Sequence, residues 1–141
     1  MPISNTARAI AEVPAPAAAS EEQGRTALKV ALDILSKWKC SEQEKIAMLG
    51  IGRSTLHKYQ ARPETARVSA DLLERVSYIL NIHQSLRTLF DNPENIYGFV
   101  RKQNQHPFFN GATPMDIMRG GRVAGLYEVF RHIDALRGGQ W

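Results

Sequence analysis

Apolar residues recur along this chain at steps of three and four, and no stretch alternates apolar with polar between hairpin turns, so the pattern predicts an all-α protein. Over 26–38, Leu28, Ala31, Leu32, Leu35 and Trp38 make one stripe of a helix. From Cys40 to Arg62 the pattern shortens into two small helices joined by a glycine turn. Ser41 caps the first, with Glu44 completing a capping box and Ile46, Ala47 and Leu49 facing inward. Gly50 and Gly52 interrupt it, and a second helix over about 53–60 turns Leu56 and Tyr59 inward until Pro63 stops it. Ser69 then caps a long helix from near Ala70, whose Leu72, Leu73, Val76, Ile79, Leu80, Leu86, Leu89 and Phe90 hold one face.

The pattern becomes less regular after Asp91-Asn92-Pro93, where a short helix starts through Ile96, Phe99 and Val100. The stretch 102–114 mixes Pro, Gly and Asn with two aromatics, which predicts a loop pinned by Phe108 or Phe109. Thr113-Pro114 opens a brief helix through Met115, Ile117 and Met118, and Gly120-Gly121 closes it. The last helix, about 122–136, carries Val123, Leu126, Tyr127, Val129, Phe130, Ile133 and Leu136, a set too broad for one narrow stripe, so part of it is expected to meet another chain. Residues 1–23, rich in Ala, Pro and Ser, read as a flexible tail. The divisions are therefore 1–23 tail, 24–66 helix-turn-helix domain, 67–90 connecting and dimerisation helix, and 91–141 a small helical domain with a C-terminal tail.

Charge sharpens one segment of this outline. Between Lys37 and Arg62 there are six basic and two acidic residues, a surplus equal to the whole chain's net charge of +4. A basic patch confined to one helix pair suits contacts to DNA phosphates, although a solvated charged face gives the same count. A helix-turn-helix places its second helix in the major groove, and here that leaves Arg53, Ser54, Thr55, His57, Lys58 and Arg62 as the DNA-binding set. One feature is atypical: four residues before the turn glycine, where such motifs commonly hold alanine, stands Ile46, with Ala47 one position later.

Other chemistry is not supported. The single cysteine, Cys40, excludes an internal disulfide and any multi-cysteine zinc site, and suits a reducing cytoplasm. His57, His83, His106 and His132 show no metal-ligand spacing, and His83 reads as a core-edge residue. Gly50-Ile51-Gly52 lacks the preceding strand and third glycine of a dinucleotide fingerprint. No nucleophile, base and orienting partner can be assembled, so no catalysis, metal or cofactor is expected. Neither an export signal nor a run near ~20 apolar residues is present, and a cytoplasmic protein with no membrane contact is expected.

With both halves in view, the chain resembles the Xre-type antitoxins of bacterial toxin–antitoxin systems, which join a helix-turn-helix to a C-terminal MbcA/ParS/Xre toxin-binding domain. The resemblance covers about residue 28 to the end and is carried by LERVSYIL at 73–80, YGFV at 97–100, HPFFNGATPMDIM at 106–118 and RHIDALRGG at 131–139. Phe99 and Val100 stand where the family often has tryptophan and leucine. The resemblance implies a protein that neutralises a toxin and represses their shared operon. The commonest partners are RES-domain toxins, which degrade NAD; related ones transfer ADP-ribose. Operator DNA is the second partner, and a homodimer would supply two half-sites. The toxin-binding candidates are Phe108, Phe109, Arg131, Arg137, Gln140 and Trp141. Trp141, following two glycines, either reaches into the toxin's nucleotide pocket with Arg137 at the rim or folds back on its own surface. The alternative is a stand-alone regulator whose C-terminal helices only dimerise, or sense a ligand near Phe108, Phe109 and Met115.

Overall fold

The computed structural model describes residues 17–139, which form seven α-helices and two 3-10 turns with no strand. Helix α1 spans Ala17–Lys37, α2 Glu42–Leu49, α3 Arg53–Ala61, α4 Ala70–Leu89, α5 Pro93–Gly98, α6 Pro114–Met118 and α7 Val123–Arg137. The chain is all-α, with a helix-turn-helix unit followed by a second helical unit. The first helix starts earlier than expected: 17–23 is helix, not tail. The run AAASEEQ is made mostly of good helix formers, and the helix continues unbroken through Gly24 to Lys37. Gly24 itself is tolerated because α1 passes close to the segment before α4, where a Cβ at 24 would lie 3.3 Å from Val68 Cβ.

The caps fall where local chemistry places them. Ser41 and Glu44 exchange both capping-box hydrogen bonds at 3.1 and 2.9 Å. Gly50 ends α2 in the left-handed region at φ 66°, and Arg62, before Pro63, ends α3 by leaving the helical region at φ −138° and ψ 79°. Ser69 caps α4, Asn92 caps α5 with Pro93 at its first position, and Thr113 closes a second capping box with Asp116 on α6.

The core is continuous across both units. Leu28, Ala31 and Leu35 of α1, with Trp38 just after it, meet Val76, Ile79, Ile82 and Leu86 of α4, which on its other side buries Leu126, Val129 and Ile133 of α7. Helix α4 is thus the shared spine, and it absorbs much of the apolar surplus predicted for α7. Tyr127 remains 41% exposed, in edge-to-face contact with Tyr78 at 5.8 Å. Leu73 is a correction: assigned to the buried face of α4, it is 42% exposed, because Leu72 takes the inward position and Leu73 lies 100° around the helix from it. Met48, absent from the expected inward set of α2, is fully buried.

Three arginines join the units. Arg75 of α4 pairs with Asp71 at 3.0 Å and donates to the carbonyls of Ala47, Met48 and Gly121 at 3.2, 3.4 and 3.0 Å. A side chain at Gly50 would lie 2.9 Å from the Arg75 guanidinium, so the turn glycine is required twice, for its φ and for this approach. Arg101, just after α5, donates to the carbonyls of Trp38 and Lys39 at 3.0 Å each and grips Glu44 with two hydrogen bonds, 3.1 and 2.6 Å long. Arg119 adds a second cation 3.6 Å from Glu44. Lys39 holds φ 62°, a position usually taken by glycine, and the Arg101 contacts tie down the carbonyls on either side of that strained turn.

Candidate functional site

Two surfaces carry the chemistry singled out above, and α4 holds them on one body. On the first, Leu56 and Tyr59 anchor α3 in the core, and Tyr59 also accepts a 3.0 Å hydrogen bond from the Arg67 backbone N–H, fixing the connection to α4. The opposite side of α3 faces solvent. Arg53, Ser54, His57, Lys58 and Arg62 are exposed, and Thr55 is half-buried at the edge. The predicted set therefore shares one helix and its C-terminal end.

The set is not uniformly free. Glu42, at the first position of α2, forms an ion pair with Arg53 Nε at 3.3 Å and a hydrogen bond with His57 Nε2. The His57 hydrogen bond, followed by the charge of Arg53, holds the Glu42 carboxyl below its usual range. Arg53 and His57 are four residues apart on one helical face, so a single carboxylate reaches both. Sequence reasoning missed this contact because it joins separate helices. It also missed Arg25 and Arg67, which line a groove beside Lys58 together with Glu21 and Glu64. Ala47, one position from where a helix crossing would ask for it, is used elsewhere: a Cβ at Gly121 would come within 3.6 Å of Ala47 Cβ, so two small residues let the second unit approach the end of α2.

The second surface is formed by the 102–113 loop and α7. The loop closes on itself through Asn104 N–H to Ala112 O at 3.0 Å and Gly111 N–H to Asn104 O at 2.9 Å, with Asn110 and Gly111 at φ 49° and 89°. His106 Nδ1 accepts from the Phe108 N–H at 3.1 Å. The two aromatics then part: Phe109 is 4% exposed and pins the loop to the core, while Phe108 lies half-buried, stacked on His132 with centroids 4.0 Å apart. Of the two aromatics proposed for the toxin, Phe109 is thus engaged in internal packing and Phe108 is the one the loop presents. Met115 is fully buried as well, so the ligand-sensing alternative loses two of its three named residues to the core. Beside Phe108 lies a cavity of about 420 Å³, bordered by Ile117, Arg122, Gly125 and Glu128.

Arg131 and Arg137 are both exposed on α7. Arg131 pairs with Glu128 at 3.4 Å, and Arg137 with Asp134 at 2.7 Å. Asp134 also accepts from Ser85 at 3.0 Å, which ties the end of α7 to α4. Gln140 and Trp141 lie outside the described residues. Burial, then the charges of Arg131 and His106, hold the His132 pKa below its ordinary value. Burial pushes the Cys40 thiol up to about 11, which leaves it protonated and unreactive at neutral pH. Among the described residues no cluster of His, Cys, Asp and Glu could hold a metal ion, and no helix is long and apolar enough to cross a membrane.

Comparison with known proteins divides the chain within α4. Residues 17–81 match the family model of the antitoxin Xre-like helix-turn-helix domain, and residues 85–139 match that of the antitoxin Xre/MbcA/ParS C-terminal toxin-binding domain. An uncharacterised protein of Sinorhizobium fredii, y4oB, is 40% identical over 107 residues, covering 75% of this chain and 80% of that protein.

Proposed function

The chain belongs to the Xre-type antitoxins, with a helix-turn-helix domain followed by a toxin-binding domain, and from that premise we propose that it neutralises a RES-domain, NAD-degrading toxin and represses the operon encoding the pair. The observation that carries the toxin half is the match of 85–139 to the toxin-binding domain, coincident with a surface on which Phe108, Arg131 and Arg137 are presented by a rigid loop and helix. The exposed face of α3 supports the DNA half. A homodimer would present two recognition helices to two half-sites.

In this reading the C-terminal end of α7 directs Arg137 and the residues after it toward the toxin's nucleotide pocket, with Trp141 filling aromatic space and Arg137 meeting its polar rim. The chain's own role is to occupy that pocket; it transforms nothing. The test is co-expression with the adjacent open reading frame. The neighbour alone should arrest growth and deplete NAD, and this chain should restore both and co-purify with it. Growth arrest with intact NAD would remove the RES assignment, and the absence of any complex would remove the antitoxin pairing. Deleting Gly138 to Trp141 should abolish protection and leave DNA binding intact; full protection by the truncated chain would refute the plug.

A further inference from the structure

We propose that Glu42 is the specificity-determining residue of the DNA surface, acting as a positioning residue that holds Arg53 for base reading and withholds it from phosphates. The inference rests on the DNA-binding role proposed above and adds to it a residue outside the recognition helix. Glu42 faces α3 from the first turn of α2, whereas Glu44, two residues on, turns away to Arg101 and Arg119 with a side chain only 12% exposed. The acidic residue nearest the basic face of α3 is therefore free to act on that face alone.

The geometry separates two uses of one arginine. Glu42 meets Arg53 at Nε, the inner edge of the guanidinium, and no hydrogen bond among the described residues engages its terminal amino groups. Those two groups form the fork that binds O6 and N7 of guanine. Arg53 is the first residue of α3, where recognition helices meet base edges, and its side chain is 72% exposed. A phosphate would have to compete with the carboxylate already paired to this cation and would approach a second negative charge. Sequence-independent binding, which depends on cations neutralising phosphates, is weakened, while a guanine edge, which carries no net charge, is not repelled in the same way. His57, held by the same carboxylate through Nε2, serves to orient Glu42 and is removed from direct base contact.

The test uses the full chain and duplexes selected by the wild-type protein from a random-sequence library, each compared with a scrambled duplex at several salt concentrations. In Glu42→Gln the shape is kept and the charge removed. Affinity for scrambled duplex should rise severalfold, the slope of log K against log salt should steepen by about 0.9 for the freed cation, and discrimination should fall about tenfold. Arg53→Lys, which keeps the charge and loses the fork, should lose discrimination too. Equal discrimination and equal slope in wild type and Glu42→Gln, or full discrimination in Arg53→Lys, would overturn the role of Glu42 while leaving DNA binding in place. Failure of the wild-type chain to enrich any sequence would overturn both.

Discussion

Glu44 illustrates how much one side chain can carry when three separate tasks converge on it. It completes the cap of α2, receives the two-pronged grip of Arg101 and balances Arg119. The Arg101 hydrogen bonds, reinforced by the Ser41 backbone N–H, hold its carboxyl at about 2, well below the ordinary carboxylate range. Because the folded pKa is depressed, the unfolded chain takes up the proton first as pH falls. The stabilisation is present above about pH 4.5 and is lost between there and about pH 2. Glu44→Gln should cost on the order of 3 kcal/mol at pH 7, and its deficit relative to wild type should shrink by about 2 kcal/mol at pH 3. Urea midpoints at the two pH values measure this, and a deficit independent of pH would contradict it. His132 has the same sign by a different route. Burial holds its folded pKa below the ordinary value, with Arg131 and His106 opposing its charge and Glu128 only partly offsetting them. Its contribution is present above about pH 6.5 and declines as pH falls below that value toward the folded pKa. His132→Phe keeps a ring for Phe108 to stack on and removes the proton, so melting temperature should fall less between pH 7 and pH 5 than in wild type.

At the scale of elements, what was legible in the sequence is what depends on neighbours a few residues apart. The caps at Ser41, Ser69, Asn92 and Thr113, the stop at Pro63 and the glycine turn are local chemistry, and the structure places them within a residue or so of where the pattern put them. The start of α1 at Ala17 was not legible, because the Ala, Pro and Ser content of the first residues outweighed the helix-forming run that follows Pro16. Leu73 shows the same limit in another form: two adjacent leucines both fit a broad stripe, and only packing against α1 and α7 decides that Leu72 goes inward. The short helix α2 depends on contacts the pattern cannot show. Its last carbonyls are met by Arg75, which lies beyond it by more than two dozen residues and is mostly buried. Arg75→Met keeps the apolar stem and removes these donors, so it should destabilise the protein by about 2–3 kcal/mol in urea unfolding. A change under 0.5 kcal/mol would mean that solvent serves those carbonyls equally well.

At the scale of the whole molecule, the two matched domains are not beads on a string. Arg75, Arg101 and Arg119 reach from the α4 to α7 half onto α2 and the end of α1, and a single core runs through both. None of these pairings could be read from spacing, since each joins residues more than two dozen positions apart; Glu42 on Arg53 and the burial of Phe109 were as hard to read for another reason, because each depends on how separate elements pack. The residues proposed for DNA could be grouped from the sequence because they share one helix and its end, whereas those proposed for the toxin rested on family resemblance, and packing buries Phe109 among them. On the function proposed above, one rigid body carries two activities that substitution can separate. The most direct measurement is intracellular NAD in cells expressing the neighbouring toxin together with the Arg53, Thr55 and Lys58 triple alanine variant, alongside its binding to the promoter duplex. NAD should hold at the level given by the wild-type chain while promoter binding is lost; NAD falling as fast as with no antitoxin at all, from a variant that remains folded, would show that the two activities are not separable.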